Sequence, residues 1–211
     1  MKQFALPLVL PDARADGEFI ISSSNEQAVL QLRRWATWPV MAALLTGPRK
    51  SGRTLLARLF AEQSGGRVID DAERQIEAEI FHAWNDAQAA RRPLLIIADE
   101  APPAWAVRLP DLRSRLNATP QVSIGPPDDG LRWALFERLF LRRGLDARPE
   151  LIQWLLVRVD RSHLAIIRAV DALEQAAFEH RKRLSIPFAR ATLAAAGLLP
   201  DRSTNAESPD P

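Results

Sequence analysis

Eight consecutive residues, Gly47-Pro48-Arg49-Lys50-Ser51-Gly52-Arg53-Thr54, hold the clearest chemistry in the chain. They fit the pattern G-x-x-x-x-G-K-[ST], except that Arg53 stands where lysine is expected. At this spacing the glycines let backbone N–H groups wrap a phosphate. A following helix adds the positive end of its dipole, and the Thr54 hydroxyl suits Mg²⁺. The alternative is a strand–turn–helix whose glycines only make the turn, but strand, loop, hydroxyl and helix all fall in the right order. Arginine is a planar fork where lysine is a compact point charge. The loop therefore reads as a nucleotide-binding site, for ADP or ATP, with weak intrinsic hydrolysis.

Such a site needs acids at neighbouring strand ends, and two apolar runs finish in them. One is Val68-Ile69-Asp70-Asp71; the other is Leu94-Leu95-Ile96-Ile97-Ala98-Asp99-Glu100. By string alone the second is the better hydrophobic run before Asp-Glu, although Ala101-Pro102-Pro103 follows it and cannot continue as a helix. Asp70 or Asp71 can instead cap the helix that follows. With no cysteine and three scattered histidines, thiolate chemistry is excluded and a structural zinc site is not expected. Lys and Arg number 28 against 26 Asp and Glu, a net charge of +2, which argues against a dedicated nucleic-acid binder. No apolar run approaches a membrane span and no leader is evident, so a cytoplasmic protein is expected.

The elements that must position these residues alternate. Residues 25–35 have a helical period with Asn25 as N-cap, and 41–46 form a short buried strand ending at Gly47. Residues 55–63 are helical and stop at Gly65-Gly66. Strands follow at 68–69, 93–98 and 121–124, with a long helix over 73–90. This alternation predicts a parallel sheet with helical crossovers. Beyond Pro126-Pro127 only helical patterns occur, at 131–143, 149–159, 163–180 and 187–196. The chain thus divides into a tail over 1–17, an α/β nucleotide-binding domain over 18–127, a helical domain over 128–198 and a polar tail over 199–211. The two tails are expected to lack packed structure.

In order, GPRKSGRT, IDDAER, LLIIADEAPP and LPDLRSRL resemble the AAA+ module of the bacterial replication initiator DnaA and, more narrowly, its regulatory homologues of the Hda family. The resemblance runs over roughly residues 3–198. It implies a P-loop AAA+ core with a parallel sheet, followed by a small all-α lid. Only 15 residues separate Thr54 from Asp70, too few for the strand and helix most such cores insert there, so a four-stranded sheet is expected. It further implies that Gly47, Ser51, Gly52, Arg53, Thr54 and Leu55 hold nucleotide, with Ile20 and Asn25 beside the adenine. The segment Phe19-Ile20-Ile21 can equally be a core strand. Asp70 with Thr54 would hold Mg²⁺, Asp71 would orient water, and Asp99 would sit beside the γ-phosphate. Asp99-Glu100 stays open as the alternative acidic pair.

Arg115 matches the family's arginine finger, a cation that acts in a neighbouring subunit's site, with Arg113 as the fallback. In the lid, Leu164 falls where the family places a nucleotide-sensing arginine, with Arg161 and Arg168 a turn to either side. His163 reads as a helix-start or surface residue. At the N-terminus Gln3, Phe4, Leu6, Pro7 and Leu8 resemble the peptide by which such regulators hold the sliding clamp, the β subunit of DNA polymerase III. The implied partners are DnaA and that clamp, with a homo-oligomer possible and no sequence-specific DNA binding or membrane contact. The implied function is negative regulation of replication initiation by stimulating hydrolysis of DnaA-bound ATP. Two other readings stay open: a helicase-loader-like ATPase, and a clamp-tethered adaptor that uses no nucleotide.

Overall fold

The computed structural model describes residues 19–199, so the clamp-like peptide Gln3–Leu8 lies outside the described residues. The chain forms two compact units that part between Pro126 and Pro127.

The first unit is built on four parallel strands, β1 (Ala42–Thr46), β2 (Arg67–Ile69), β3 (Leu94–Ala98) and β4 (Gln121–Ser123), in the order β2-β3-β1-β4. β1 and β3 pair in register from Ala42 against Leu94 to Thr46 against Ala98. Successive strand residues face opposite sides. Ala43, Leu45, Leu95 and Ile97 pack with helices α1 (Glu26–Arg33) and α2 (Arg53–Ser64). Ala42, Leu44, Leu94, Ile96 and Ala98 pack with α3 (Glu77–Ala90) and α4 (Pro110–Ala118). Burial on both faces is why AALLT and LLIIA read as unbroken apolar runs. The four-stranded parallel sheet matches the expectation.

Three local features differ from the sequence reading. Residues 73–90 are not one helix: a 3-10 turn over Ala72–Arg74 gives way to extended backbone at Gln75 and Ile76 before α3 begins. Glu73 and Glu77 serve different partners, the amide of Asp99 and those of Arg108 and Leu109, and the extended link lets them diverge. Asn25 is the N-cap residue of α1, but its side chain makes no cap bond. The helix α4 has no counterpart among the expected elements.

The second unit is helical: α5 (Asp129–Arg142), α6 (Pro149–Arg158), α7 (His163–His180) and α8 (Ile186–Ala195). Side-chain caps start three of them, Asp128 accepting from Leu131 N at 2.8 Å, Ser162 from Ala165 N at 3.1 Å and Ser185 from Phe188 N at 3.4 Å. The core gathers Phe136, Phe140, Leu155, Ile166 and Leu173. Within it Arg132 is wholly buried, donating to the carbonyls of Leu156 and Val159 and to Asp129, each at 2.8 Å. It joins the start of α5 to the end of α6. Replacing Arg132 by Met should lower stability by about 3 kcal/mol, because both carbonyls lose a charged donor. Urea denaturation followed by circular dichroism tests this, and a change within about 0.5 kcal/mol would remove the structural role.

Candidate functional site

The loop 47–52 leaves the end of β1 where the chain after β4 runs alongside, Ile124 N donating to Thr46 O at 2.9 Å. That approach explains Gly47: a Cβ there would stand 2.8 Å from the Ile124 carbonyl oxygen. Gly52, at φ 93°, is the N-cap of α2, and its face is covered by the Phe19 ring, whose Cε2 would lie 3.1 Å from an added Cβ. Lys50 also takes a positive φ of 66°. The Ser51 hydroxyl is buried and has no hydrogen-bond partner. An orphaned hydroxyl in a glycine-bounded loop at the N-terminus of a 12-residue helix fits an anion such as a nucleotide phosphate.

Beside the loop, Thr54 Oγ1 donates to Asp70 Oδ2 at 2.8 Å. The hydroxyl and carboxylate that suit Mg²⁺ are therefore neighbours, and both are the hard oxygen donors that ion takes. Asp71, in left-handed backbone at φ 48°, donates its N–H to Asp70 Oδ1 at 2.9 Å. Its carboxylate lies with those of Glu73 and Asp99 in a cluster within 4.8 Å. The sequence reading did not include Glu73.

Arg53 is buried at the start of α2, yet it turns to the end of β3. One guanidinium nitrogen donates to the Ala98 carbonyl, and another bonds Asp99 Oδ1 at 2.6 Å. The exposed Arg49 bonds Asp99 Oδ2 at 3.0 Å. Burial works to raise the Asp99 pKa, but the bonds and charges of Arg53 and Arg49 together outweigh it. The carboxyl is held below the usual aspartate range. Two residues expected on a phosphate are thus each other's partners.

The segment 19–25 is irregular and not a core strand. Phe19 is buried in the sheet's core and Ile21 packs on it. Asn25 is buried, its Oδ1 accepting from Ser22 N and its Nδ2 donating to the Ile20 carbonyl, both at 2.9 Å. Its amide shapes this segment. Leu55 packs partly on the same core.

One stripe of α3 holds α4. Glu77 accepts from Arg108 N at 2.9 Å and Leu109 N at 2.6 Å, capping α4 from outside, because Leu109 is the N-cap and Pro110 has no N–H. Those two bonds lower the Glu77 pKa. Arg115 Nε donates to Asn85 Oδ1 at 3.0 Å, and its guanidinium lies 4.4 Å from the Phe81 ring centre and 5.3 Å from that of Trp84. Trp84 Nε1 donates to Thr119 Oγ1 at 3.0 Å. Arg115 is half-buried against its own α3, whereas Arg113 and Ser114 are exposed. Nothing in the sequence pattern singled out Glu77, Phe81 or Asn85.

In the helical unit His163 is buried at the start of α7, not on the surface. Its Nδ1 is unpartnered, and burial lowers its pKa. Leu164 is half-buried, Arg168 is exposed, and Arg161 reaches Asp129 at 3.4 Å. No helix among the described residues is long and apolar enough to cross a membrane.

Comparison with known proteins bears on this site. The sequence model of the family described as "Hda, lid domain" matches residues 129–193. A Haemophilus influenzae protein described as uncharacterized is 30% identical over 138 residues, covering 63% of this chain and 60% of that protein. The fold is similar to domain III of the Thermotoga maritima replication initiation protein DnaA, with TM-score 0.70 and 17% identity over 84% of this chain and 94% of that one. AMPPCP-bound DnaA from Aquifex aeolicus follows at 0.56 and 17%, covering 75% and 63%. The Thermotoga maritima RuvB Holliday junction branch migration motor gives 0.63 and 15%, covering 83% and 70%. The described chain thus has the AAA+ fold of DnaA with an Hda-type lid, in agreement with the resemblance read from sequence.

Because Glu77 is held ionised, the contact it makes contributes stability above the ordinary glutamate pKa of about 4.3 and loses it as the pH falls through the lower folded value. Urea midpoints across an acid series should therefore fall more steeply for the wild type than for Glu77→Gln below about pH 4.3. Parallel curves would remove the cap.

Proposed function

We propose that this chain is a nucleotide-binding, DnaA-related regulator of replication initiation that promotes hydrolysis of ATP bound to DnaA while tethered to the sliding clamp. The observation that carries the reading is the Hda-type lid at residues 129–193, joined to a core with the fold of DnaA domain III. In this role the protein's own nucleotide, ADP or ATP, stabilises the fold. The loop backbone from Gly47 to Gly52, with Ser51 and Thr54, holds its phosphates, and Thr54 and Asp70 hold Mg²⁺. Mg²⁺ held there would neutralise phosphate charge. Arg53 leaves the protein weakly hydrolytic at most, since its guanidinium is committed to Ala98 and Asp99.

Arg115 is the residue offered to DnaA. A guanidinium entering a neighbouring ATP site offsets charge developing on the γ-phosphate, an effect worth roughly 10³–10⁵ in rate in known systems. Asn85 and the rings of Phe81 and Trp84 fix its fork, which limits the conformational freedom lost on engagement. The peptide Gln3-Phe4-Ala5-Leu6-Pro7-Leu8 supplies the clamp contact, with Gln3 in a polar pocket and Leu6 and Leu8 in an apolar groove. The Arg53–Asp99 pair also favours a second reading, a clamp-tethered adaptor that uses no nucleotide.

DnaA-bound ATP hydrolysis, measured with clamp loaded on DNA, is expected to rise with the wild type and to lose at least tenfold of that rise with Arg115→Ala, a conservative fraction of the arginine-finger range of about 10³ or more. No stimulation by the wild type with clamp binding intact would overturn the reading. The melting temperature separates the two readings of the loop. ADP that binds only the folded state raises it by mass action, and an unchanged melting temperature at saturating ADP favours the adaptor.

A further inference from the structure

The α7–α8 corner of the helical unit carries features that neither its packing nor the proposed reaction uses. α7 closes at His180 with Arg181 in left-handed backbone at φ 50°, and Lys182 N returns to the Ala177 carbonyl at 3.2 Å. Leu184 and Ile186 pack on the core and fix the connection. Arg181, Lys182 and Arg183 are all exposed, and none makes an ion pair with a described residue. Elsewhere in this unit Arg132, Arg143 and Arg161 each meet an acid, while Arg148, Arg158, Arg168 and Arg190 stand singly without an ion pair to a described residue. Glu179, two residues before Arg181, is bonded by Gln175 a turn back along α7. One turn before Arg181 stands Phe178, at 82% exposure the most exposed of the large apolar side chains described. The His180 ring meets Phe188 edge-on, with ring centres 6.4 Å apart, and steadies the other flank.

Cations at a helix C-terminus are ordinary company for its dipole. A run of three in no ion pair with a described residue, beside an uncovered phenyl ring, goes further than capping requires. We infer that this corner is a binding surface for single-stranded nucleic acid, with successive phosphates held by Arg181, Lys182 and Arg183 and a base stacked on Phe178. Uncompensated cations favour a regularly charged backbone through counterion release, and a flat exposed ring takes the π-face of any base. Gln175 and Glu179, the polar side chains flanking Phe178 on α7, are bonded to each other, so binding rests on backbone charge and stacking and is sequence-independent. An acidic peptide offers no π-face to the ring, and one phenyl ring beside three cations lacks the broad apolar face by which interfacial helices hold a membrane. This surface is independent of the finger and clamp assignments.

Fluorescence anisotropy of the full chain with labelled oligothymidylate of about twenty nucleotides and with a duplex of similar length tests it across a salt series. The expected slope of log K against log salt for the single strand is about −2, from three phosphates at about −0.7 each. The variant Arg181→Asn/Lys182→Gln/Arg183→Gln, in which asparagine suits the left-handed position, should bind at least tenfold more weakly with a slope near zero. Phe178→Ala should weaken the single strand several-fold and leave the duplex unchanged. Melting curves of both variants, expected to match the wild type, show that the lid is intact. An oligothymidylate affinity unchanged in the triple variant, or absent from the wild type at low salt, overturns the inference. So does loss of binding confined to a polyglutamate peptide or to phosphatidylserine vesicles, which would assign the corner to an acidic protein or a membrane.

Discussion

The guanidinium of Arg53 sets the electrostatics of the whole sheet edge. It is buried, and a buried cation persists only when paired and hydrogen-bonded; the Ala98 carbonyl and the Asp99 carboxylate provide both. Everything around the loop follows from that. Asp99 is neutralised from two sides and no longer offers a free anion to a nucleotide. The Thr54–Asp70 pair and the unpartnered Ser51 hydroxyl stand outside this pairing. A lysine at 53 would be a point charge on a flexible stem; the planar fork bridges two acceptors at once.

The second organising feature is the stripe on α3 at positions 77, 81, 84, 85 and 88, spaced so that all lie on one helix face. Glu77 caps α4, Phe81, Trp84 and Asn85 hold Arg115, and Gln88 accepts from Met41 N at the entrance to β1. A single helix therefore connects the central strand to the segment bearing Arg113 and Arg115. Polar and aromatic side chains do this more specifically than apolar packing would, because each bond has one geometry.

Much of this was legible in the sequence. The strands at Ala42–Thr46 and Leu94–Ala98 show as apolar runs because both faces are buried, and the phosphate loop shows because its glycines sit at steric necessities. The lid helices show because Asp128, Ser162 and Ser185 cap them locally. What failed was non-local. The Arg53–Asp99 bond joins residues 46 apart, and no spacing rule reaches that far. The helix α4 borrows its cap from Glu77, 32 residues upstream of Leu109, so its own sequence lacks the usual start signal. The break at Gln75-Ile76 lies in an otherwise helical pattern and arises because Glu73 and Glu77 answer to different backbones.

The borrowed cap has a consequence for how the molecule opens. A nine-residue helix whose N-terminal amide is satisfied from another element has little to hold it once that element departs. α3 and α4 therefore share one opening event. The amides of Arg108 and Leu109 should exchange with solvent on the schedule of the α3–α4 contact and not by fraying from their own end. Arg113 and Arg115 would then be presented or withdrawn together, as one cooperative piece of the protein.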